Sequence, residues 1–523
     1  MGESAGLVFV RPPRPSYYRR LHGLGYARLW EAMASFYVEN FGCRATQADG
    51  AAVERQFRER GLVRADQASE AEVVVLNTCT VTASADRDAR AAIRRVRREN
   101  PGCQIVVTGC YAQRAPEELA ALPGVSRVVG NSHKHRLAEI VLQPPDSGSE
   151  NRKSAVFVPL SSLSQSQRPT TKDQGPIYVS DIFAHTELLA APVFDAANER
   201  TRPNLKVQDG CDNRCSFCVI PSVRGQNRSL PLRQILVEVN TLVAAGYREV
   251  VISGINLGRW GRDLAPEGSR FADLIRAVLK DTALEKLRIS SVEPMDWSDE
   301  LIRLMAESPR IAKHAHVPMQ SGSDRVLRGM HRKYRPWHYR EKIEKIRTAM
   351  PTAAIGADLM VGFPGETEQD FEKTRRMVEE LPLTYLHVFT YSPRPGTPAA
   401  AMHNQVPTLA ARERNRVLRE LAAEKKQAFM RSFVGKTVEA ITLRGFDATR
   451  TECLTDNYLP LRMQGRHEAN RWIRALVEDS QAEALIATSG SGNTLYPNNS
   501  ASSLGLSTTT SGGAMLSVCG AKP

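Results

Sequence analysis

Short apolar runs alternate with amphipathic helical patterns over residues 35–140. An apolar run bounded by turn residues indicates a strand, whereas apolar residues three and four positions apart indicate a helix. The strand candidates are SFYVENFGC, AEVVVLNTC and CQIVVTGC, and the helix candidates are GAAVERQFRERG and ADRDARAAIRRVRREN. Because such alternation is typical of a parallel sheet covered by helices, we predict an α/β domain over residues 35–143.

A second alternating region follows over residues 202–398. Its strand candidates are LKVQDGC, EVVISGIN, LEKLRISSVEP, HAHVPMQ, IGADLMVGFPG and LHVFTYSP. Six strands separated by helices fit an open or partial β/α barrel better than a full eight-stranded one. We predict a partial (β/α)6 barrel over residues 201–400.

The remaining segments differ from these two regions in composition. We expect a connecting helix over residues 401–434, and short apolar strands over residues 435–490 predict a small β-barrel. Residues 144–200, rich in Ser, Pro, Thr and Gln, predict a linker or insertion. Residues 1–34 are expected to be a flexible arm or an upstream start that the cell does not use, and residues 491–523 a disordered tail.

Composition narrows the class of protein only a little. Hydrophobic residues make up 42% of the chain and charged residues 24%, which is ordinary for a soluble protein. The net charge of +13 suggests a polyanionic partner, although charge alone supports nucleic acid weakly. Since the chain contains neither a transmembrane-length apolar run nor the apolar core of a secretory signal, we expect a cytoplasmic protein with no membrane partner.

Three of the nine cysteines form a compact motif. Cys211, Cys215 and Cys218 have a C-x3-C-x2-C spacing. Three thiolates on one loop can ligate three irons of a 4Fe–4S cluster and leave the fourth iron open. The alternatives are a zinc knuckle that lacks one ligand and three structural thiols. The position of the motif after the first barrel strand favours the iron–sulfur cluster, because barrel active sites lie at the C-terminal ends of strands.

A second set of cysteines is dispersed over the first domain. Cys43, Cys79 and Cys110 each close an apolar strand, whereas Cys103 begins one. The C-terminal ends of parallel strands meet at one edge of a sheet, where ligands bind. A buried cysteine is usually a small hydrophobe, but three at equivalent strand ends favour a second cluster. Cys103 is excluded because it is expected at the opposite edge.

With these motifs, residues 35–488 resemble the methylthiotransferases of the radical S-adenosylmethionine superfamily. The segments NFGCRATQADG, KVQDGCDNRCSFCVIPSVRG and HVPMQSGSDRVLRGMHRKY are most similar to the branch that acts on threonylcarbamoyladenosine in tRNA. At the first motif, the isopentenyladenosine branch usually reads Gly-Cys-Gln-Met-Asn and the ribosomal-protein branch Leu-Gly-Cys-Pro-Lys-Asn. This chain instead has Arg44 after the cysteine. It also has Thr46 where most relatives have Asn, which bears on any polar contact near the second cluster.

The resemblance implies three parts: a domain with an auxiliary 4Fe–4S cluster on Cys43, Cys79 and Cys110, a radical barrel, and a C-terminal TRAM domain. It also implies two uses of S-adenosylmethionine. One molecule supplies a methyl group to sulfur on the auxiliary cluster, and a second is cleaved to a radical that removes hydrogen from carbon 2 of the modified adenine beside the anticodon. The expected cofactors are two 4Fe–4S clusters and S-adenosylmethionine, and the expected partners are tRNA and an external electron donor.

The resemblance also implies contacts to S-adenosylmethionine from the ends of the barrel strands. The residues are Gly254, Asn256, Ser291, Glu293, Gln320 and Val361. Gly254 and Asn256 would lie beside the methionyl part, and Val361 against the adenine. Each position also has a purely structural explanation. Gly254 could form a turn, Ser291 and Glu293 could be a helix cap or a surface carboxylate, and Val361 could belong to the barrel core. His316 is either a site residue or a core histidine whose hydrogen bonds are made within the protein. Asp358 is expected to point into the barrel.

Four residues are candidates for contact with RNA. Arg224 and Arg228 follow the radical-cluster motif, where an anionic substrate must enter. Tyr458 and Arg462, in the predicted C-terminal barrel, offer stacking and charge. Small β-barrels bind many ligands, so the fold alone does not assign RNA.

Three other functions stay open at this point. A methylthiotransferase could act on isopentenyladenosine in tRNA or on a ribosomal protein. A more distant alternative is a non-catalytic iron–sulfur protein for electron transfer, which would need neither an open iron nor a barrel.

Overall fold

The structure is a computed structural model, and it describes residues 34–143, 177–186, 188, 202–264, 268–445 and 449–489. The predictions for the N-terminal arm and the C-terminal tail, and most of the predicted linker, lie outside the described residues. Within the described part of the chain, no helix combines the length and the apolar character needed to cross a membrane.

The first domain contains a six-stranded parallel sheet. Its strands are β1 (Ser35–Asn40), β2 (Val63–Arg64), β3 (Val73–Thr78), β4 (Gln104–Gly109), β5 (Val125–Gly130) and β6 (Ile177–Tyr178), in the order β2-β1-β3-β4-β5-β6. Its helices are α1 (Arg44–Arg58), α2 (Ala83–Glu99), α3 (Cys110–Arg114), α4 (Pro116–Ala120) and α5 (Leu137–Leu142). Every residue of β3 is buried, as expected for a strand with helices on both faces of its sheet. The predicted parallel-sheet domain is confirmed.

One strand of this sheet comes from the segment predicted to be a linker. Strand β6 pairs in parallel with β5, Val128 opposite Ile177 and Val129 opposite Tyr178. A two-residue strand inside a polar segment leaves no periodic pattern, which explains why the sequence did not indicate it.

The central region contains six parallel strands that form a partial barrel. The six strands are β7 (Asn204–Lys206), β10 (Glu249–Ser253), β11 (Lys286–Ile289), β12 (His314–His316), β13 (Ala354–Val361) and β14 (Tyr385–Thr390). Two further strands, β8 (Gln208–Asp209) and β9 (Arg228–Ser229), form a separate antiparallel pair. The six barrel strands form the sheets β11-β10-β7 and β12-β13-β14. Bridges at Leu287–Ile311 and Ser291–His316 connect β11 to β12. The predicted partial barrel is confirmed.

Alternation along the barrel strands separates an apolar outer face from a polar lumen. The helices are α6 (Ile220–Arg224), α7 (Leu232–Ala244), α8 (Phe271–Asp281), α9 (Asp299–Glu307), α10 (Asp324–Gly329), α11 (Pro336–Ala349), α12 (Glu368–Glu380) and α13 (Thr408–Arg431). In β11, Leu287 and Ile289 join the hydrophobic core, whereas Lys286 and Arg288 point to the opposite face. The same period in β13 and β14 gives the lumen its polar side chains.

The C-terminal region is a closed barrel of five strands. They are β15 (Thr437–Gly445), β16 (Arg450–Thr455), β17 (Pro460–Gln464), β18 (Trp472–Ser480) and β19 (Leu485–Ser489). This barrel lies against the N-terminal ends of the central strands, where Asp456 contacts Lys286 at 3.3 Å and its carbonyl accepts a hydrogen bond from Arg288 at 3.0 Å. The C-terminal ends of the central strands, where active sites of β/α barrels lie, face the first domain and the loop that carries Cys211, Cys215 and Cys218.

Buried ion pairs join the first domain to the central barrel. Asp49 on α1 accepts hydrogen bonds from Lys134 at 3.1 Å and from Arg224 at 3.0 Å, and also contacts Lys206. Asp209 accepts from the same Lys206 at 2.7 Å and from Arg224 at 2.9 Å. All five side chains are buried, so this network fixes α6 of the barrel against the first domain.

Candidate active site: two cysteine trios

The auxiliary trio is Cys43, Cys79 and Cys110, which meet at the C-terminal edge of the first sheet. Cys43 precedes α1, Cys79 follows β3 and Cys110 begins α3. Burial raises the pKa of Cys79 to about 12, with further contributions from the neighbouring Cys110 and Cys43 thiols. All three are free cysteines. Cys103 lies just before β4, at the other edge, as predicted.

The polar surroundings of the auxiliary trio suit metal-bound sulfur. Asn131 Nδ2 donates to Cys110 Sγ at 3.6 Å, and Thr46 Oγ1 lies 3.5 Å from Cys43 Sγ. The polar contact to the Cys43 sulfur is therefore provided by a hydroxyl, that of Thr46. Donors of this kind tune a cluster through its sulfurs.

The radical trio is Cys211, Cys215 and Cys218, on the loop between β8 and α6. Burial, with smaller contributions from Cys215 and Cys211, raises the pKa of Cys218 to about 12. Asn256 Nδ2 donates to Cys211 Sγ at 3.5 Å, and Arg332 Nη1 donates to Cys215 Sγ at 3.3 Å. Three close free thiols with charged and neutral donors form a ligand set that fits a 4Fe–4S cluster.

Two predicted cofactor residues lie at this trio. Asn256 contacts Cys211, and its Oδ1 is buried with no hydrogen-bond partner among the described residues. Glu293 pairs with Arg332, the residue that also contacts Cys215. Burial raises the pKa of Glu293, although Arg332 opposes this shift. An unpaired buried oxygen is a position where a bound ligand would supply the missing donor.

The other predicted cofactor residues lie at the same edge without a contact to the trio. Ser291 follows β11, and Gln320 follows β12 with φ of 60°, its N–H donating to the Asp358 carbonyl at 2.8 Å. A Cβ at Gly254 would lie 2.6 Å from Gln208 Oε1, so close packing within the protein accounts for this glycine. Val361 is 0% exposed in the main core, which favours the barrel-core alternative.

The structure buries Arg224 and Arg228, the two predicted RNA contacts that follow the radical trio. Arg224 is 2% exposed and its charge is taken up by Asp49 and Asp209. Arg228 is 9% exposed and donates to backbone carbonyls of His185 and Gln226. Neither side chain presents its charge to a polyanion.

The two candidates in the C-terminal barrel have different positions. Tyr458 lies below the lumen of the central barrel, where its hydroxyl accepts a hydrogen bond from Arg44 at 3.2 Å. Arg462 is partly exposed on β17, with Glu483 at 3.9 Å. A contact of Arg462 with RNA stays a prediction.

One short helix separates the two trios. Cys110 packs against Val219, Ile220 and Val223, which follow Cys218 directly and belong to α6 or its first turn. The sequence did not indicate this contact or the role of Arg332, although Arg332 lies in a motif that carried the family resemblance. The charged Lys206, between the apolar residues Leu205 and Val207, was the visible sign of the buried network.

Comparisons with known proteins cover most of the chain. Residues 35–130 match the uncharacterized protein family UPF0004, and residues 205–378 match the radical SAM superfamily. Radical SAM membership implies a 4Fe–4S cluster and S-adenosylmethionine as cofactors.

Three curated relatives illustrate the similarity. The chain is 35% identical to the threonylcarbamoyladenosine tRNA methylthiotransferase MtaB of Aquifex aeolicus, over 84% of this chain and 99% of the relative. It is 35% identical to MtaB of Bacillus subtilis, over 83% and 92% of the two chains. It is 34% identical to the tRNA-2-methylthio-N(6)-dimethylallyladenosine synthase of a Parafrankia species, over 87% and 86%. The chain therefore belongs to the radical S-adenosylmethionine methylthiotransferases.

Proposed function

We propose that this enzyme converts N6-threonylcarbamoyladenosine, next to the anticodon of tRNA, to its 2-methylthio derivative. The observation that carries the proposal is the pair of free cysteine trios on either side of α6, since the reaction needs separate sites for radical formation and for sulfur. Relatives named for this activity are 35% identical over 84% and 83% of the chain, which supports the substrate.

We assign the radical cluster to Cys211, Cys215 and Cys218, and the auxiliary cluster to Cys43, Cys79 and Cys110. When bound, the first cluster and S-adenosylmethionine supply the radical, and the second supplies the sulfur. The protein contributes donors to the sulfurs from Asn256 and Arg332. Arg332 also holds Glu293 at the edge of the barrel, beside the proposed cofactor site.

The tRNA and the electron donor are the partners that this proposal requires. The net charge of +13 favours association with a polyanion, and the partly exposed Arg462 is one candidate contact. The auxiliary trio and the barrel lumen must both be reached by the same adenine. Cys110 of the auxiliary trio packs against Val219 and Val223, just after the radical trio, which supports one bound nucleoside serving both trios.

A second candidate function is methylthiolation of isopentenyladenosine in tRNA. It is favoured by the 34% identity to the dimethylallyladenosine synthase relative. The first motif opposes it, because Arg44 stands where that branch usually has Gln. A cationic side chain fits a substituent that carries a carboxylate better than an apolar one.

The proposed function is tested by mass analysis of tRNA nucleosides from cells with and without this gene. We expect 2-methylthio-threonylcarbamoyladenosine to disappear and its unthiolated precursor to accumulate. Loss of the methylthio group from isopentenyladenosine would instead support the second candidate. Unchanged tRNA, with loss of a methylthio group from ribosomal protein, would contradict both.

A further inference from the structure

The lower lumen of the central barrel is a polar chamber made largely of histidine and tyrosine side chains. The side chains that form this chamber are Arg44, His314, His316, Asp358, Tyr385, His387 and Tyr458. His316 and His387 lie on neighbouring sides of Tyr385, with ring centroids 5.9 and 5.5 Å from it. Asp358 Oδ1 is 3.3 Å from His316 Nε2.

The chamber has polar groups that the protein leaves available. His316 Nε2 is buried and makes no well-directed hydrogen bond among the described residues, although Asp358 is near. His387 is exposed on the lumen side of β14. By contrast, His314 at the bottom is engaged by the Tyr385 hydroxyl at 2.6 Å. A ring nitrogen that has no hydrogen-bond partner within the protein can donate to or accept from a ligand.

The chamber contains two charged side chains, the Arg44 guanidinium and the Asp358 carboxylate, of which Asp358 lies next to His316. Burial, and then His316 and Arg44, lower the pKa of His387 in spite of Asp358, so this ring is neutral near pH 7. The other nearby guanidinium, that of Arg288, is fully buried and bonded to Glu249 at 2.6 Å. Arg44 is only partly buried and donates to the Tyr458 hydroxyl. The Arg44 guanidinium therefore gives its end of the chamber a group that can bind an anion.

The chamber adjoins the auxiliary trio on one side and the proposed cofactor residues on the other. Arg44 directly follows Cys43 of the auxiliary trio, and its carbonyl accepts a hydrogen bond from Asn204 of β7 at 3.0 Å. On the opposite wall, His316 is bridged to Ser291, and the Asp358 carbonyl accepts from Gln320. A ligand in the chamber therefore touches elements that also carry the proposed cofactor contacts.

The lumen wall above the chamber is apolar. Met360 and Phe389 are directly opposite each other in β13 and β14, two positions toward the C-terminal end from Asp358 and His387. Phe389 is 49% exposed. A wall that is apolar above and polar below matches a flat purine ring that carries a polar substituent.

We propose that the lower lumen is the recognition site for the N6-threonylcarbamoyl substituent, in which Arg44 binds the threonine carboxylate and His316 and His387 bond the remaining polar atoms. This inference rests on the proposed function. An arginine guanidinium matches a carboxylate with two parallel hydrogen bonds. An isopentenyl substituent would leave the same polar groups unpaired, so the chamber discriminates against it.

The test compares binding of three anticodon stem-loop RNAs that differ only beside the anticodon: threonylcarbamoyladenosine, isopentenyladenosine or adenosine. The protein is the full chain with its iron–sulfur clusters reconstituted. We expect the wild type to prefer the threonylcarbamoyl stem-loop over the adenosine one by about tenfold or more, because a site built for polar groups rejects ligands that lack them. Arg44→Gln should bring this ratio close to one, and Arg44→Lys should retain only part of it, because an ammonium group keeps the charge but not the two parallel hydrogen bonds. Arg303→Gln, the same change at an exposed position on α9, is the matched control and should keep the full ratio.

Because Arg44 adjoins a proposed cluster ligand, His387→Ala provides a second variant, far from the cysteines in sequence. It should lower the preference by about three- to tenfold with unchanged iron content, the loss expected for one hydrogen bond. Unchanged preference in His387→Ala, together with unchanged preference in an iron-replete Arg44→Gln, would overturn the inference. The inference would also be overturned if the wild type contained a metal ion besides the cluster iron and His387→Ala lacked it, since the histidines would then be metal ligands.

Failure of the proposed function gives a different result. A wild type that methylthiolates only the isopentenyl stem-loop would refute both proposals. A wild type that methylthiolates the threonylcarbamoyl stem-loop while both variants retain its preference would refute the recognition site alone.

Discussion

At the scale of single residues, the cysteine trios are shaped by burial and by close neighbours. Burial raises the pKa values of Cys79 and Cys218 to about 12, so both thiols are protonated near neutral pH in the absence of a metal ion. Cluster ligation requires the thiolate, so assembly of the proposed clusters would release protons from these residues. The donors from Asn256, Arg332 and Asn131 compensate part of the charge that ligation leaves on sulfur.

Gly42 provides a test of the auxiliary trio that leaves every cysteine in place. Its φ is +104°, and a Cβ there would lie 2.6 Å from Cys79 Cβ. We expect Gly42→Ala to displace Cys79 and to remove about half of the iron after reconstitution, because one of two clusters is lost. Gly102→Ala is the matched control, since nothing lies within 4 Å of its added methyl group. Iron analysis that finds Gly42→Ala fully loaded would contradict the assignment of Cys79.

The sequence indicated cysteine positions well and side-chain directions poorly. Strand ends can be predicted from hydrophobic runs, so the meeting of Cys43, Cys79 and Cys110 followed from the parallel sheet. The direction of Arg224 did not follow, because its partner Asp49 is 175 residues away along the chain. A pairing across that separation is a property of the tertiary structure, and proximity to a cysteine motif does not reveal it.

At the scale of elements, α6 is the part that both trios share. Its N-terminal residues pack on Cys110, and its last residue, Arg224, joins Asp49 and Asp209. Burial opposes ionisation of Asp49, but Lys134, Lys206 and Arg224 outweigh it and hold the pKa of this carboxyl well below its usual value. The separation of the trios therefore depends on one buried charge network.

We expect Asp49→Asn to destabilise the protein by about 3–5 kcal/mol at pH 7, since removing one partner leaves buried cations uncompensated. The carboxyl has a lowered pKa in the folded state, so its stabilisation is complete above about pH 4, the unfolded value, and falls away only at lower pH. Chemical denaturation followed by circular dichroism measures the change.

The control for this variant is Asp281→Asn, an exposed carboxylate at the end of α8. It should change stability by no more than about 0.5 kcal/mol. Equal stability of Asp49→Asn and wild type would contradict the importance of the network.

The elements that the sequence predicted are those with long apolar runs. β3, β4 and β13 were clear, and each is buried over most of its length. β6 has two residues, and β16 reads RTECLT, in which apolar residues are few. Such short strands form because neighbouring strands offer unpaired backbone N–H and C=O groups. The local sequence does not indicate this pairing.

At the scale of the whole molecule, the central barrel is enclosed on two sides. The C-terminal barrel closes its N-terminal end through Asp456, and the first domain is joined to it through Asp49 and through Arg394, which pairs with Asp86 of α2. The lumen is thereby bounded by Arg44, the proposed cofactor residues and Tyr458. This arrangement explains how one nucleoside could meet a radical source and a sulfur source without moving between separate sites.

The most direct test of the central claim, that the two trios divide the reaction, is product analysis of purified Cys79→Ala and Cys218→Ala. Each reconstituted variant is incubated with S-adenosylmethionine, a reductant and the threonylcarbamoyl stem-loop, and 5′-deoxyadenosine and methylthiolated nucleoside are measured. We predict that Cys218→Ala forms neither product, whereas Cys79→Ala forms 5′-deoxyadenosine without methylthiolation. Methylthiolated nucleoside from Cys79→Ala, or 5′-deoxyadenosine from Cys218→Ala, would contradict the account.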